Sequence, residues 1–510
     1  MTRTAGLSSR VDVLRALRIA AIVLLVLIGA ASMFLAWKWP FTRGATIESL
    51  ERVSASDVKI GRFEKLYFPH PGYVAHEVTF TRDRGSARPL ATVRKVTCQG
   101  SWVDILTYTH RVSRIDLEGA QVYIPRHVPA AIRKHPEENI ATTVAELLAN
   151  GTVLEIAPRQ TGSQITRFDF PELVLTNVAK NKPIGFRTLM RNRNLIGDLK
   201  AAGNVGPLTF RRIAETSVSG SFQMRHTDLS THQVIAGILA ADGQFRGTLG
   251  HAKVAGRADI PNFEVNRSRH PVKLTAEYNV LVNGTNGDIH VESTEAQFLG
   301  STLTARGSIA GTGDKTISLD LDGRQTRVED VLRLFVKADR PPLDGKLTLH
   351  AHVVLPPKQE AFLKKVELEG DFAIADGAFT RSATEEKIAE LSARALGDTH
   401  ANTKAAHSPV TLEIKSQVHL QEGVATLSQA FFSVPGAVTK GGGTYNLSNE
   451  AIDLNGKLAM NATVSKAAGG IRSILLLPVD PFFKKDGAGA VLPVHVRGTY
   501  SHPIFKVSLK

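Results

Sequence analysis

The sequence predicts a mainly β protein, with a single N-terminal transmembrane helix followed by an elongated, curled antiparallel β-sheet and a few short helices. Three observations lead to this prediction. One long apolar run lies near the N-terminus, apolar and polar residues alternate from about residue 55 onward, and segments with helical spacing are few. The length of 510 residues exceeds what one hydrophobic core usually organises, so we expect several domains or one repetitive element.

The N-terminal apolar run covers residues 19–37 and carries no formal charge. At ~1.5 Å per residue it is roughly 28 Å long, which matches the hydrocarbon thickness of a bilayer. Arginines precede the run and only Asp12 offsets them, which predicts a cytoplasmic N-terminus and an exported remainder. A cleaved signal peptide is the alternative, but the run is longer than a usual signal core. The predicted anchor residues are Ile22, Leu24, Leu25, Leu27, Phe34, Leu35 and Trp37.

The predicted organisation follows the chain from this anchor. Its parts are a cytoplasmic N-terminus at 1–18, the transmembrane anchor at 19–39, an N-terminal β domain with a terminal helix at 40–150, a β-rich middle region with a helix near 326–337 at 151–380, and a C-terminal β region with a helix near 384–396 at 381–510. The terminal helix of the first domain is expected over 137–150.

Strict alternation predicts the strands. In residues 345–355, Leu347, Leu349 and Val353 point to one side, whereas His350 and His352 point to the other. The same alternation runs through residues 410–420 and 452–464. This pattern is typical of antiparallel strands with one buried face and one solvated face.

Dipeptides of Asp or Asn followed by Gly separate many of these alternating segments. Both central residues of a type I′ turn need a positive φ, which such dipeptides tolerate best. We therefore predict hairpin turns at Asp242-Gly243, Asn286-Gly287, Asp322-Gly323, Asp344-Gly345 and Asp376-Gly377.

Capping boxes predict where two helices begin. Thr326 with Glu329 precedes the first of these helices, and Ser382 with Glu385 precedes the second. Gly397 is placed to end the second helix.

The search for chemistry finds no catalytic or nucleotide-binding motif, and we expect neither an enzyme nor a cofactor. The histidines at 350 and 352 share one face of a strand, but no carboxylate lies at a convincing metal-ligand spacing, so we interpret them as solvated residues. Cys98 is the only cysteine, which excludes a disulfide within the chain. The net charge of +14 favours anionic partners, and export excludes nucleic acid among them.

Four segments resemble the AsmA-like family of bacterial envelope proteins. They are residues 45–66, which follow the anchor; residues 88–126, with a PLA-V strand, a Trp before a short helix and an I-LEG--V-IPR strand; the helix at 387–397; and the closing strand at 494–510. The resemblance implies an inner-membrane anchor and a periplasmic body of curled sheet, similar to bridge-like lipid carriers. No catalytic residues exist in the family to carry over. This chain is shorter than the largest bridge-type members.

The resemblance and the alternation together predict an apolar β-groove that binds or conducts phospholipid and contributes to outer-membrane lipid homeostasis. The candidate lipid-facing residues are Leu347, Leu349, Val353, Leu412, Ile414, Leu454 and Leu458. The expected partners are phospholipid, the inner membrane and an envelope protein. The alternative is a non-enzymatic structural or assembly factor for outer-membrane proteins, in which the apolar faces pack against each other.

Overall fold

The computed structural model describes residues 41–54, 56–81, 88–107, 111–124, 143–156, 166–179, 181–192, 195–207, 213–230, 235–265, 269–310, 316–335, 340–357, 360–397, 410–463, 489–499 and 502–507. The predicted anchor at 19–39, with all of its named residues, lies outside them. Among the residues that are described, no helix has both the length and the apolar character to cross a bilayer. The chain divides into two compact units, Met1–Ile156 with Thr176–Lys180 and Ala157–Leu175 with Asn181–Lys510.

The first unit combines two helices with seven strands. They are α1 (Arg43–Ser54), β1 (Asp57–Lys59), β2 (Arg62–Leu66), β3 (Gly72–Thr81), β4 (Ala91–Gln99), α2 (Trp102–Leu106), β5 (Arg111–Ile124), β6 (Thr143–Leu148) and β7 (Thr152–Ile156). Strands β1 and β2 both pair with β3, and β3, β4 and β5 pair in order, all antiparallel. The core contains Val78, Ala75 and Cys98. Burial raises the pKa of the Cys98 thiol to about 12, so this thiol is a protonated core group.

The helix predicted over 137–150 is wrong in its described part. Residues Thr143–Leu148 form strand β6, which runs parallel to β5 and places Val144 beside Val112 and Leu147 beside Ile115. Every residue of β6 is half-buried. A strand sheltered on both faces has no clean alternation, and periodicity alone cannot distinguish it from a buried helix.

The second unit is built almost entirely from antiparallel strands. They are β8 (Thr166–Val178), β9 (Ile184–Asn192), β10 (Leu195–Val205), β11 (Ser217–Asp228), β12 (Ile235–Ala236), β13 (Ile238–Thr248), β14 (His251–Val265), β15 (Val272–Val282), β16 (Ile289–Phe298), β17 (Ser301–Ile309), β18 (Ile317–Arg327), β19 (Leu343–Leu355), β20 (Glu367–Phe379), β21 (Leu412–Gln421), β22 (Val424–Val434), β23 (Ala437–Asn446), β24 (Ala451–Met460), β25 (Ala490–Thr499) and β26 (His502–Val507). From β9 to β26 each strand pairs with the next, except that β11 pairs with β13 and the short β12 pairs with β14. The prediction of a mainly β protein is confirmed.

Three helices interrupt the second unit: α3 (Val328–Phe335), α4 (Phe362–Lys365) and α5 (Ser382–Ala395). Helices α3 and α5 confirm the two predicted near 326–337 and 384–396. The two predicted capping boxes are wrong. Thr326 belongs to β18 and donates its hydroxyl to the Thr302 carbonyl. No side chain caps α5. Gly397 ends α5 as predicted, with a φ of +89° and its N–H donated to the Arg394 carbonyl.

Of the five predicted hairpin turns, Asn286-Gly287 alone is a turn, with Gly287 N–H donated to the Asn283 carbonyl at 2.7 Å. The other four predictions are wrong, because those dipeptides lie inside β13, β18, β19 and β20. The last three coincide with shifts in strand register, and Asp376 and Gly345 have φ of +53° and +140°. Some β-bulges use a residue with a positive φ as a type I′ turn does, so the same dipeptide can serve both, as at Gly345 and Asp376.

Candidate functional site

A continuous row of paired residues crosses the second unit from β9 to β25, and every member is apolar or glycine except Tyr445, whose ring also carries a hydroxyl. Directly opposed residues of neighbouring strands point to the same side of a sheet. We call this row the first ladder, and its members are Phe186, Gly203, Gly220, Phe245, Val254, Val280, Val291, Gly307, Leu319, Val353, Leu368, Leu420, Ala425, Tyr445, Ile452 and Gly498. At ~4.8 Å per strand it is roughly 70 Å long, measured along the sheet.

A second ladder runs beside the first on the same side of the sheet. Its members are Ala201, Phe222, Gly243, Gly256, Tyr278, Thr294, Ala305, Leu321, Ala351, Gly370, Val418, Leu427, Gly443, Leu454 and Val496. Only Tyr278 and Thr294 carry a polar atom in their side chains. The two rows, which we call the apolar ladders, therefore form a strip two residues wide.

The residues between the two ladders point to the other side of the sheet, and from β17 to β25 they are polar. From β17 to β25 they form an opposite-face ladder of Arg306, Asp320, His352, Glu369, His419, Thr426, Thr444, Asp453 and Arg497. All of these residues are exposed, whereas all members of the apolar ladders are half-buried except Val291 and Ala351, which are buried. The apolar side of the sheet is thus sheltered along its length, and the polar side is not.

An aromatic ring covers Gly220 of the first ladder. A Cβ added to Gly220 would lie 2.7 Å from Cζ of Phe245, so no larger residue fits beneath that ring. The Phe186 and Phe245 rings stack with centroids 6.3 Å apart across the two strands that contribute glycine. Glycine here keeps the apolar surface continuous, because the neighbouring rings occupy the space that its missing side chain leaves.

Helices α3 and α5 cover the apolar side at one end of the strands. Val328 of α3 packs with Leu343 and Leu347, and Leu334 of the same helix packs with buried residues of β14, β15 and β16. Helix α3 thus packs against residues that belong to strands from β14 to β19. Within the described residues, no member of the apolar ladders belongs to the clusters packed beneath these helices.

The structure divides the predicted groove residues into three groups. Leu347, Leu412 and Leu458 are only 6%, 1% and 6% exposed and belong to the core beneath the helices. Leu349 and Ile414 are half-buried and pack against that core. Val353 and Leu454 lie in the first and second ladders. Sequence reasoning named these two members and missed the others, because the ladders depend on how the strands pair, and alternation within one strand does not show that pairing.

A buried carboxylate fixes α3 to the sheet. Asp330 has a side chain that is 3% exposed, and it accepts hydrogen bonds from Ser301 Oγ at 2.7 Å, from Gly300 N at 3.1 Å and from Arg327 Nε at 3.0 Å. Burial alone would raise the pKa of Asp330, but these hydrogen bonds and the Arg327 charge outweigh it and hold the pKa below its usual value. The ionised carboxylate is therefore part of the folded state.

We expect Asp330→Asn to lower the free energy of unfolding by about 2–3 kcal/mol at pH 7, because charge-assisted hydrogen bonds are lost in a buried site. The folded-state pKa lies below the unfolded value near ~3.9, so this stabilisation is complete above that value and is lost as the pH falls through the folded-state pKa. Urea midpoints of wild type and variant should therefore stay apart from pH 7 down to about 4 and converge only below it. Asp376→Asn, at a carboxylate that is 65% exposed, is the matched control and should have little effect.

The two histidines in β19 lie on the exposed side, as predicted. His350 Nδ1 is 3.0 Å from Asp322 Oδ2, and His352 Nδ1 is 2.6 Å from Asp320 Oδ1. Each histidine thus pairs with a carboxylate across the strands. In the described parts of the chain, no three His, Cys, Asp or Glu residues come together as a metal site would require.

Comparison with known proteins finds no relative of this chain. No protein-family model, curated protein or solved structure matches it. The resemblance to the AsmA-like family therefore stays a prediction from the sequence.

Proposed function

We propose that this chain is a membrane-anchored protein that holds the acyl chains of phospholipids on its apolar ladders, along a curled antiparallel sheet. The anchor at 19–39 places it in a bacterial inner membrane with a cytoplasmic N-terminus and a periplasmic body. There it contributes to the lipid homeostasis of the outer membrane. The observation that carries the proposal is the first ladder, in which every member from β9 to β25 is apolar or glycine apart from the hydroxyl of Tyr445.

The energetics favour an aliphatic ligand that is held by apolar contact over a substrate that is chemically converted. A two-chain lipid exposes ~30 methylenes to water at ~0.8 kcal/mol each, or roughly 24 kcal/mol in all. A continuous sheltered apolar strip removes much of this cost without any reaction. A sheet folded only for its own stability needs burial at its core, and α3 and α5 already supply that at one end of the strands.

The ladders offer apolar contact but few directed hydrogen bonds. Such contact is non-directional, so it distinguishes poorly between lipids that differ only in their headgroups. The net charge of +14 favours anionic headgroups at the solvated margins. We therefore expect the bound lipids to reflect the composition of the surrounding membrane.

Photo-cross-linking in living cells tests the proposal with the full-length chain. A benzoylphenylalanine residue is introduced at Leu420, in the first ladder, or at His419, the adjacent residue on the opposite face. Cells grown with radioactive phosphate are irradiated, and the purified chain is examined for a labelled lipid adduct. We expect an adduct at position 420 and none at 419. Residue 420 lies in an apolar ladder that contacts acyl chains, whereas residue 419 points to the opposite face of the sheet.

Comparison of the labelling at position 420 with that at position 419 distinguishes the possible outcomes. Equal labelling at both positions would show incidental contact with membrane lipid and would contradict the proposal. An adduct to a second protein at position 420, without lipid, would instead favour the structural or assembly role. Both positions lie near the C-terminal end of β21 and outside the packed cluster, so neither substitution removes a core side chain.

A further inference from the structure

The first unit exposes a cluster of large apolar side chains. Phe68 is 88% exposed, Val103 is 66% exposed and Tyr67 is 48% exposed, and Trp102 lies half-buried beside Val103. We call these four residues the aromatic patch. Single exposed apolar residues are ordinary on protein surfaces, but a contiguous group of them marks an interaction site.

Hydrogen bonds hold the two segments of the aromatic patch together. The indole Nε1 of Trp102 donates to the Pro69 carbonyl at 3.0 Å, and the backbone N–H of Gly100 donates to the Pro71 carbonyl at 2.7 Å. The loop with Tyr67 and Phe68 is therefore joined to the start of α2. The patch is a defined surface rather than two separate side chains.

The aromatic patch lies beside the point where the chain emerges from its predicted anchor. Phe41 packs against the core of the first unit, with its ring centroid 6.1 Å from that of Tyr73. A Cβ added to Gly100 would lie 3.3 Å from Cζ of Phe41. The predicted anchor ends at residue 39, at most ~7 Å of extended chain from residue 41, and Gly100 is equally close to Trp102.

We propose that the aromatic patch inserts into the headgroup region of the membrane that holds the predicted anchor. This inference rests on the anchor, which is part of the proposed function. Aromatic side chains concentrate at membrane–water interfaces because their rings are apolar and their polar atoms stay hydrated. A short tether to the bilayer keeps the patch within reach, so modest insertion of ~5–10 Å suffices to bury Phe68 and Val103.

Membrane insertion orders the first unit relative to the bilayer in a way that an anchor alone does not. A single helix followed by a flexible chain would let the unit rotate freely. Two attachments, the anchor and the aromatic patch, restrict that rotation. Because two linked sites act at high effective concentration, even weak insertion of the patch is maintained.

A fluorescent label tests the inference in the full-length chain. Val103→Cys is labelled with an environment-sensitive nitrobenzoxadiazole, and the chain is reconstituted into liposomes of phosphatidylethanolamine and phosphatidylglycerol. Cys98 is 3% exposed and has a raised pKa, so it does not compete for the label. The matched control is Ile504→Cys, on a side chain that is 54% exposed in β26. We expect lipids with a nitroxide near the headgroup to quench the label at 103 and not at 504.

A second variant separates insertion from simple proximity to the bilayer. Adding Phe68→Ser to the Val103-labelled chain should reduce the ratio of inserted to free patch by roughly tenfold or more, because one buried aromatic side chain is lost. Equal access of aqueous iodide to the labels at 103 and 504 would overturn the inference. Failure of the chain to float with liposomes would overturn it as well, because the anchor would be absent.

The outcomes distinguish this inference from the proposed function. Lipid quenching at 103 without a lipid adduct at 420 would leave the membrane-inserted patch in place and reject lipid binding on the ladders. A lipid adduct at 420 without quenching at 103 would do the reverse.

Discussion

A charged barrier within the first ladder is expected to slow the passage of lipid. Leu420→Asp and Ala425→Asp together place two carboxylates on directly paired residues. If about four methylenes lose apolar contact at ~0.8 kcal/mol each, the barrier to passage rises by about 3 kcal/mol, which slows passage roughly 100-fold. If lipid is loaded at the β9 end of the ladder, photo-cross-linking should persist at Val280 and fall strongly at Ile452.

A control variant carries the same two charges on the opposite face of the sheet. His419→Asp with Thr426→Asp introduces the same two charges on the neighbouring pair of β21 and β22. These residues are exposed, and lipid adducts at both probe positions should be unchanged. Loss of the adduct at 280 with retention at 452 would mean that lipid is loaded from the C-terminal side. Unchanged adducts in the Leu420 and Ala425 variant would contradict transport along the ladders.

Truncating Leu412 is expected to be the most destabilising alanine substitution among the predicted groove residues. Its side chain is 1% exposed in the cluster that contains Ala395 of α5, Val434 and Met460. Removing a fully packed leucine costs the transfer free energy and leaves a cavity, so we expect Leu412→Ala to lower the free energy of unfolding by about 3–4 kcal/mol. Pulse proteolysis over a urea series, with the chain in nanodiscs, measures the change.

Leu420→Ala is the matched comparison in the same strand. Leu420 is half-buried and lies in the first ladder, outside the packed cluster, so the cost should be near 1 kcal/mol. Equal destabilisation by the two substitutions would show that the ladder residue is packed as tightly as the core. The apolar ladders would then be filled by protein, and lipid binding on them would be rejected.

The candidate site was only partly predictable from the sequence. Alternation in β19, β21 and β24 identified the apolar side correctly, and Val353 and Leu454 are members of the ladders. The same alternation could not separate them from Leu347, Leu412 and Leu458, because side-chain direction in a strand is local whereas the cover provided by α3 and α5 comes from distant segments. Glycine carries no hydrophobic signal in the sequence, although each ladder glycine completes its apolar ladder.

The sequence by itself determined that this chain is mainly β, where α3 and α5 lie, and which side of the alternating strands is apolar. Periodicity and helix termination are properties of neighbouring residues, so they are readable locally. The tertiary structure alone decided that residues 143–148 form a strand, that four Asp-Gly pairs lie inside strands, and that apolar residues of so many strands align into continuous ladders. Strand register depends on bulges and on long-range pairing, and a shift by one residue would turn a strand's apolar side chains to the opposite face.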